Sequence, residues 1–269
     1  MTRIPGRRLF SPVLARAFAP VDARCAPLGH RSSLIPDVHR FPDCHPIQPE
    51  VVIVTAARPF GTPTAQSLVF AEAYAAEDIV LQTARSLARE LGLTPVTAGA
   101  GSILRLLAAA GSAKSVVEIG TGTGVSGVWL LRGMRADGVL TTIDVENEHQ
   151  RIARQIFAQA NFPPSRTRII TGRALDVLPR LADNVYDLIF VDADATEFGA
   201  CAEAALRLLR PGGTLIINGA LAGGRITDPT ARDVETLTIR ETVKTIRESE
   251  DWTPAIIPTG AGLLAAVKR

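Results

Sequence analysis

The sequence has little cysteine, little net charge and no long hydrophobic run. Its 269 residues contain three cysteines, at positions 25, 44 and 201, too few for a disulfide framework, which favours a reduced, cytoplasmic setting. The formal net charge of +2 gives no reason to expect a nucleic-acid partner. No apolar run reaches the roughly 18 residues that a membrane-spanning helix needs, so we expect no membrane partner. Hydrophobic residues make up 46% of the chain, enough for a full core.

Residues 1–68 differ in composition from the rest of the chain. They contain ten of the eighteen prolines, and eight arginines against four acidic residues. Prolines at this density prevent long helices and disfavour central strands. Organellar transit peptides are also rich in arginine, but the amphipathic periodicity of such peptides is missing here. We therefore predict that residues 1–68 are a disordered or over-extended N-terminal segment and that residues 69–269 form the folded domain.

Helical and strand patterns alternate in the folded part. Helices are predicted over residues 70–91 and 101–110. Five β-rich runs follow, separated by helical or looped segments, at residues 115–119, 139–143, 168–171, 186–191 and 214–217. Such alternation predicts a parallel sheet that is covered by helices on both faces.

The C-terminal part of the sequence departs from this alternation. A charged helix is predicted over residues 228–249, followed by strands at 252–257 and 262–267. Because the link between these two strands is too short for a parallel crossover, they should pair as an antiparallel hairpin. The predicted fold is α/β: a Rossmann-like parallel sheet of about seven strands ending in an antiparallel hairpin, which is the arrangement of class I methyltransferases.

A glycine-rich turn, Gly120–Gly124, follows the first predicted strand. Glycine allows the backbone to turn sharply there and to approach a ligand closely. The pattern G-x-G-x-x-G also occurs, from Gly122 to Gly127, so an NAD-linked oxidoreductase competes with a methyltransferase at this point. Glu118, at the end of the strand, favours a cationic ligand such as a sulfonium amino acid, because its carboxylate would be unfavourable beside a pyrophosphate.

Further carboxylates follow the neighbouring strands. Asp144 ends the second strand, a position where a carboxylate binds the vicinal hydroxyls of a ribose. Asp192 and Asp194 follow the fourth strand. Because ligands of open α/β sheets bind outside the carboxyl ends of the strands, these three carboxylates and Glu118 should converge on one cleft. Four carboxylates around one cleft fit a sulfonium cofactor better than a dinucleotide.

These motifs resemble those of a known enzyme family. The matching segments are residues 117–126, 142–145, 186–194 and 208–213. The stretch from residue 96 to 269 is similar to the bacterial O-methyltransferases related to catechol and caffeoyl-CoA O-methyltransferases, and most similar within them to those of mycobacteria. The resemblance implies a class I enzyme that uses S-adenosylmethionine to methylate an oxygen of a small-molecule acceptor. Relatives are often dimers, which leaves a homodimer open.

The resemblance also implies roles for individual residues. The methionine part of the cofactor would lie against Glu118, Gly120, Thr121 and Ser126, with the backbone at Val96 closing over it. Farther along the cofactor, Asp144 would hold the ribose, Val145 and Ala174 would line the adenine end, and Asp194 would lie near the reactive end. Asp192 would face the acceptor, as a base or as an orienting group.

The sequence departs from the family in its catalytic equipment. Metal-dependent relatives hold a divalent cation with the aspartate that matches Asp192 and with an Asp-Asn pair after the fifth strand, and here that pair is Asn218 and Gly219. A hard cation prefers several oxygen ligands, so we expect no metal. Ala195 replaces the family's lysine base. Two interpretations stay open: an active metal-independent methyltransferase, or a cofactor-binding protein that has lost catalysis and acts as a sensor or interaction partner.

Three other side chains complete the expectations. His149 is predicted to be an exposed histidine at a helix start, with a role as a base as the minor alternative. Cys201 is expected to be a small buried residue rather than a nucleophile. Arg225 is expected at the surface, although it could steer an anionic acceptor into the cleft.

Overall fold

The computed structural model describes residues 61–269, so the predictions for residues 1–60 lie outside the described part of the chain. The helices of this part are α1 Ala65–Ala73, α2 Ile79–Glu90, α3 Ala98–Ala110, α4 Val125–Gly133, α5 Asn147–Gln159, α6 Ala174–Val177, α7 Phe198–Leu208 and α8 Val234–Glu248. Its strands are β1 Ser115–Ile119, β2 Val139–Asp144, β3 Thr167–Thr171, β4 Tyr186–Val191, β5 Leu209–Asn218, β6 Trp252–Ile257 and β7 Leu263–Lys268. Within residues 61–269, no helix combines the length and the apolar character that crossing a membrane requires.

The seven strands form one sheet in the order β3-β2-β1-β4-β5-β7-β6. Strands β1 to β5 run parallel, whereas β7 is antiparallel to both β5 and β6. The predicted α/β fold, with a parallel sheet finished by an antiparallel hairpin, is confirmed. The strand order reverses between β1 and β4, and an open α/β sheet binds its ligands at such a switch point.

Helices cover both faces of the sheet, and successive strand residues supply the two cores. Val116 belongs to the core beneath α2, α3, α4 and α5, while Val117 belongs to the core beneath α6, α7 and α8. Both side chains are fully buried, as expected when neighbouring residues of a strand point to opposite faces. This two-sided burial accounts for the almost continuous apolar runs of the central strands.

The single helix predicted over residues 70–91 is wrong, because the structure has two helices there. The side chain of Asp78 accepts a hydrogen bond from the backbone N–H of Leu81 at 3.1 Å and starts α2 as its N-cap. The preceding residue, Glu77, forms an ion pair with Arg85 of α2 at 2.6 Å. A capping aspartate in front of Ile79 was the local signal for this break.

Other boundaries also differ from the sequence prediction. Helix α1 begins at Ala65, before the expected domain boundary at residue 69, with Thr64 as its N-cap. Helix α8 begins at Val234 rather than at residue 228, because Asp233 caps its first turn. Strand β5 is longer than predicted, because its first residue, Leu209, already pairs with β4. The register of the pairing then shifts before the rest of the strand.

Candidate active site

A cavity of about 410 Å³ opens where the carboxyl ends of β1, β2 and β4 meet. Eight of the predicted site residues contribute to its lining: Gly120, Thr121, Ser126, Asp144, Val145, Ala174, Asp192 and Asp194. The cavity therefore lies at the switch point of the sheet, where the strand order predicts a ligand. Glu118 and Val96 are the two predicted residues outside this lining.

Gly120 lies where the ends of β1, β2 and β4 meet. Its backbone N–H donates to the carbonyl of Ile143 in β2 at 2.9 Å, and the N–H of Asp192 donates to the carbonyl of Ile119 at 2.8 Å. Gly120 has a φ of +94°, and a Cβ atom there would clash with the carbonyl oxygen of Asp192. Glycine is thus required at this position by the backbone conformation and by the lack of room for a Cβ atom. Because glycine has no side chain, the cavity stays open beside Asp192.

Glu118 is fully buried at the end of β1, next to the cavity rather than in its lining. Its Oε2 accepts a hydrogen bond from the Thr142 hydroxyl at 2.6 Å, and the hydroxyls of Thr142 and Thr121 lie 2.7 Å apart. Because Thr142 donates to the carboxylate, Thr121 must donate to Thr142. The other oxygen of Glu118, Oε1, is buried without a hydrogen-bond partner.

Burial raises the pKa of Glu118 from 4.5 to about 7. The hydrogen bond from Thr142 opposes this rise, and the negative charges of Asp192 and Asp144 add to it. A buried carboxylate with an unpartnered oxygen is costly, and a positively charged donor nearby would relieve that cost. The surroundings of Glu118 are therefore those of a binding group for a cation.

Asp144 is held in one orientation by two backbone N–H groups. Its Oδ2 accepts from Gly122 and its Oδ1 from Glu146, each at 2.9 Å. The Nδ1 atom of His149 lies 3.4 Å from the same Oδ1. The prediction that His149 is exposed was wrong, because its side chain retains 17% exposure and lines the cavity. The first turn of α5 brings His149 back over the end of β2.

Asp192 contacts Asn218 at the ends of β4 and β5. The Nδ2 group of Asn218 donates to Oδ1 of Asp192 at 2.9 Å, while Oδ1 of Asn218 is buried without a partner. Burial raises the pKa of Asp192 above its ordinary value, and the hydrogen bond from Asn218 opposes this rise. Asp192 is thus a better proton acceptor than an exposed aspartate.

The side chains around this contact offer few oxygen atoms to a divalent cation. Asn218 presents a donor N–H₂ group to Asp192, and Gly219 has no side chain to supply a further oxygen ligand. In the described residues 61–269, no group of three or more His, Cys, Asp or Glu side chains is arranged to hold a metal ion.

Three predicted residues lie at the edges of the cavity. Asp194 is exposed, and its Oδ1 accepts from the hydroxyl and the backbone N–H of Thr196, which lowers the pKa of this carboxylate. Val145 is exposed next to Asp144, and Ala174 is buried at the start of α6. Both apolar residues line the cavity, in a position suited to a flat aromatic group.

Val96 has a different environment from the one predicted. Its side chain is buried in the core, and its carbonyl accepts a hydrogen bond from Nη2 of Arg85 at 2.6 Å. The neighbouring Thr94 and Pro95 line the cavity instead. Arg85 also binds Glu77 through two hydrogen bonds, so it anchors this loop to α2.

Other residues that line the cavity were not predicted from the sequence, among them Leu93, Thr94 and Pro95 of the loop, together with Glu146 and Glu197. The Thr-Pro break between two helices was the one available signal for the loop. Arg225 is engaged elsewhere, because it donates to Glu235 at 2.7 Å and to Thr236 at 3.0 Å. Cys201 is confirmed as a small buried residue in α7, and burial raises the pKa of its thiol to about 12.

Known proteins resemble this chain in sequence and in structure. Residues 71–269 match the model of the O-methyltransferase family. A probable O-methyltransferase of Mycobacterium tuberculosis is 52% identical over 198 residues, which cover 74% of this chain and 88% of the relative.

Solved structures give the same result. The O-methyltransferase TomG of Streptomyces achromogenes, in complex with S-adenosylmethionine, is 31% identical with a TM-score of 0.68, covering 75% of this chain and 94% of its own. The O-methyltransferase of Bacillus cereus, in complex with S-adenosylhomocysteine, is 28% identical with a TM-score of 0.68. The match covers 77% of this chain and 98% of the Bacillus cereus chain. This chain belongs to the O-methyltransferase family.

Proposed function

We propose that this O-methyltransferase uses S-adenosylmethionine, works without a divalent metal and methylates a hydroxyl group of a small-molecule acceptor. The reaction class follows from the family, and two relatives have been solved with S-adenosylmethionine or its demethylated product. The observation that supports metal independence is the hydrogen bond from Asn218 to Asp192, because Asp192 then has a neutral amide rather than a second carboxylate beside it, and Gly219 has no side chain.

The cofactor is assigned to the cavity on the charge and shape of its surroundings. Glu118 has a buried oxygen without a partner, which suits the ammonium group of the methionine part. Asp144 is oriented to accept hydrogen bonds from ribose hydroxyls. Val145 and Ala174 supply apolar contacts for the adenine, and Gly120, Thr121, Ser126 and Asp194 complete the proposed contacts, with Val96 supporting the loop above them.

When bound, S-adenosylmethionine supplies a methyl group on a positively charged sulfur. Methyl transfer is an in-line displacement, so holding the two reactants in place accounts for much of the acceleration. Asp192 is proposed to take the proton from the acceptor hydroxyl as the oxygen attacks, and its raised pKa suits this task. The lysine of the relatives is replaced by Ala195, which leaves Asp192 as the proposed base.

Three further expectations, about oligomeric state, location and partners, belong to the same proposal. The exposed apolar side chains of Val69, Phe70 and Tyr74 on and beside α1 support a homodimer. The low cysteine content supports a cytoplasmic location, and the near-neutral charge supports the absence of nucleic-acid and membrane partners. Light scattering on the purified chain measures the oligomeric state directly.

Calorimetry and a methyl-transfer assay test the function. We expect S-adenosylmethionine and S-adenosylhomocysteine to bind and NAD not to bind. Transfer of labelled methyl groups to phenolic acceptors should proceed equally with Mg²⁺ and with a chelator. Strong stimulation by Mg²⁺ would contradict metal independence. Tight cofactor binding without transfer to any acceptor would favour the alternative, a cofactor-binding protein that acts as a sensor or interaction partner.

A further inference from the structure

The side chain of Thr123 links the glycine-rich turn to helix α2. Its hydroxyl donates to the carbonyl oxygen of Ala84 at 2.8 Å, although the two residues are 39 positions apart in the sequence. Both residues are buried, with 2% exposure for Thr123 and none for Ala84. Because a threonine hydroxyl has a single hydrogen to donate, this hydrogen is directed at α2 and not at a ligand in the cavity.

The carbonyl of Ala84 can accept this hydrogen bond without loss to the helix. Ala84 lies in the middle of α2, where each carbonyl accepts a hydrogen bond from the backbone N–H four residues further on. A carbonyl oxygen has a second lone pair, which remains available to Thr123. The contact is therefore added to a continuous helix, and it sets the distance between the glycine-rich turn and α2.

The next residue of α2 holds another wall of the cavity. Arg85 donates to the carbonyl of Val96 at 2.6 Å, in the α2–α3 loop of residues 91–97. Residues 93–95 of this loop line the cavity. Two adjacent residues of α2 thus bind two different walls, since Ala84 binds the glycine-rich turn and Arg85 binds the α2–α3 loop.

The two walls also approach each other directly. The Cδ1 atom of Leu93 in the α2–α3 loop lies 4.0 Å from the position that a Cβ atom of Gly122 would occupy. The N–H of Gly122 donates to Oδ2 of Asp144 at 2.9 Å, so the turn is attached to β2 as well as to α2. A change at Thr123 therefore alters the space that the turn and the loop leave for a ligand.

We propose that Thr123 is a positioning residue for the cofactor: its hydrogen bond to Ala84 joins the glycine-rich turn, through α2, to the α2–α3 loop. The proposal rests on the proposed function, because that function assigns the cofactor to this cavity. Thr123 acts through the placement of the two walls, and its hydroxyl does not bind the cofactor. A site whose walls are held together in advance binds more tightly than one whose walls must be ordered by the ligand.

Calorimetry with S-adenosylhomocysteine tests the role of the hydroxyl. Thr123→Val replaces the hydroxyl by a methyl group, which stays at least about 3.3 Å from a carbonyl oxygen and so separates the turn from α2. We expect the affinity to fall by about tenfold. Thr123→Ser keeps the hydroxyl and should restore most of the affinity. Thr83→Val is the control, because the Thr83 hydroxyl donates to the carbonyl of Ile79 within α2 itself, and it should bind as the parent does.

A double variant tests the coupling through α2. Thr123→Val and Arg85→Gln each separate one wall from α2, so either substitution alone already disconnects the turn from the loop. The double variant should therefore bind about as weakly as the weaker of the two single variants. Losses that multiply, to about a hundredfold, would mean that the two contacts act independently, and this result would overturn the proposal.

The single variants separate this proposal from the proposed function. Unchanged affinity in Thr123→Val, or an equal loss in Thr123→Ser, overturns the proposal while the methyltransferase assignment stands. If Thr123→Val does not fold, Thr123→Ala takes its place, because it differs from Thr123→Ser only by the hydroxyl, and equal affinities of these two variants have the same meaning. If the parent binds neither S-adenosylmethionine nor S-adenosylhomocysteine, the proposed function itself fails.

Discussion

Thr142 donates its hydroxyl hydrogen to Oε2 of Glu118 across 2.6 Å, in a part of the sheet that water does not reach. The hydrogen bond orients the carboxylate but satisfies only one of its oxygens, and Oε1 stays without a partner. The protein thus keeps a poorly solvated acid next to its cavity. Such an arrangement destabilises the empty protein and favours the binding of a cation, which supplies the missing interaction.

Replacing Glu118 by glutamine should change how stability depends on pH. The pKa of Glu118 is about 7 in the folded protein and about 4.5 in the unfolded chain, so the folded state binds more protons between these values. The stability of the parent protein should therefore fall as the pH rises from 4.5 to 7, by on the order of 3 kcal/mol. Glu118→Gln should lose this part of the pH dependence. Urea denaturation at pH 5 and pH 8 measures the free energy of unfolding of both proteins. An equal change in this free energy between the two pH values for the parent and for Glu118→Gln would contradict the prediction.

The same substitution should weaken cofactor binding. A hydrogen bond to a charged group contributes about 1.5–3 kcal/mol, so Glu118→Gln should lower the affinity for S-adenosylmethionine by on the order of tenfold to a hundredfold. Glu148→Gln is the control, because Glu148 is an exposed carboxylate on α5 that pairs with Arg151. Calorimetry at pH 8 gives both affinities. Unchanged binding by Glu118→Gln would remove this residue from the cofactor site.

The parts of the site that follow from local sequence could be predicted. Gly120 directly follows β1 and Asp144 ends β2, and the parallel arrangement of those strands brings their ends together. Asp192 was found for the same reason, since it directly follows β4. The hairpin was predictable because its short link permits only antiparallel pairing.

The parts that depend on tertiary contacts could not be predicted in the same way. The side chain of Arg85 reaches eleven residues along the chain to the carbonyl of Val96, and no local pattern indicates that contact. His149 enters the cavity because helix α5 folds back over the sheet, although its sequence position suggests an exposed helix start. Glu72 of α1 accepts hydrogen bonds from Thr97 and Thr259, and no local pattern indicates these contacts either.

Gly120→Ala should disrupt the site more than glycine substitutions elsewhere. A methyl group at this position would meet the carbonyl of Asp192, and φ is +94°. Gly92→Ala is a suitable control, because Gly92 also has a positive φ, +70°, but no atom lies within 4 Å of the added methyl. The control should cost about 1 kcal/mol from strain alone. Gly120→Ala should lower the free energy of unfolding, measured by urea denaturation, by at least twice as much and should abolish cofactor binding. Similar losses of stability in the two variants would contradict the predicted clash.

Arg85→Gln should raise the KM for S-adenosylmethionine with little change in kcat. Arg85 joins Glu77 to the carbonyl of Val96 and so holds the loop that contains Thr94 and Pro95 against the cavity. A looser loop weakens binding of the cofactor but does not touch the reacting atoms. We expect a KM increase of about tenfold, given the strength of charged hydrogen bonds. Arg89→Gln, at an exposed position of the same helix, should behave as the parent, and a loss confined to kcat in Arg85→Gln would contradict a role in cofactor binding.

Asn218→Asp should make the protein sensitive to divalent cations. The substitution replaces the N–H₂ donor that contacts Asp192 at 2.9 Å with a second carboxylate, and two carboxylates at this distance repel each other. A divalent cation relieves the repulsion and supplies the positive charge that the site lacks. We expect the melting temperature of Asn218→Asp to rise by several degrees in millimolar Mg²⁺, and that of the parent to stay constant. Gln159→Glu makes the same chemical change at an exposed position of α5 and controls for non-specific binding of Mg²⁺. A parent protein that responds as strongly as the variant would mean that the existing side chains already hold the metal, and the proposal of metal-independent transfer would have to be abandoned.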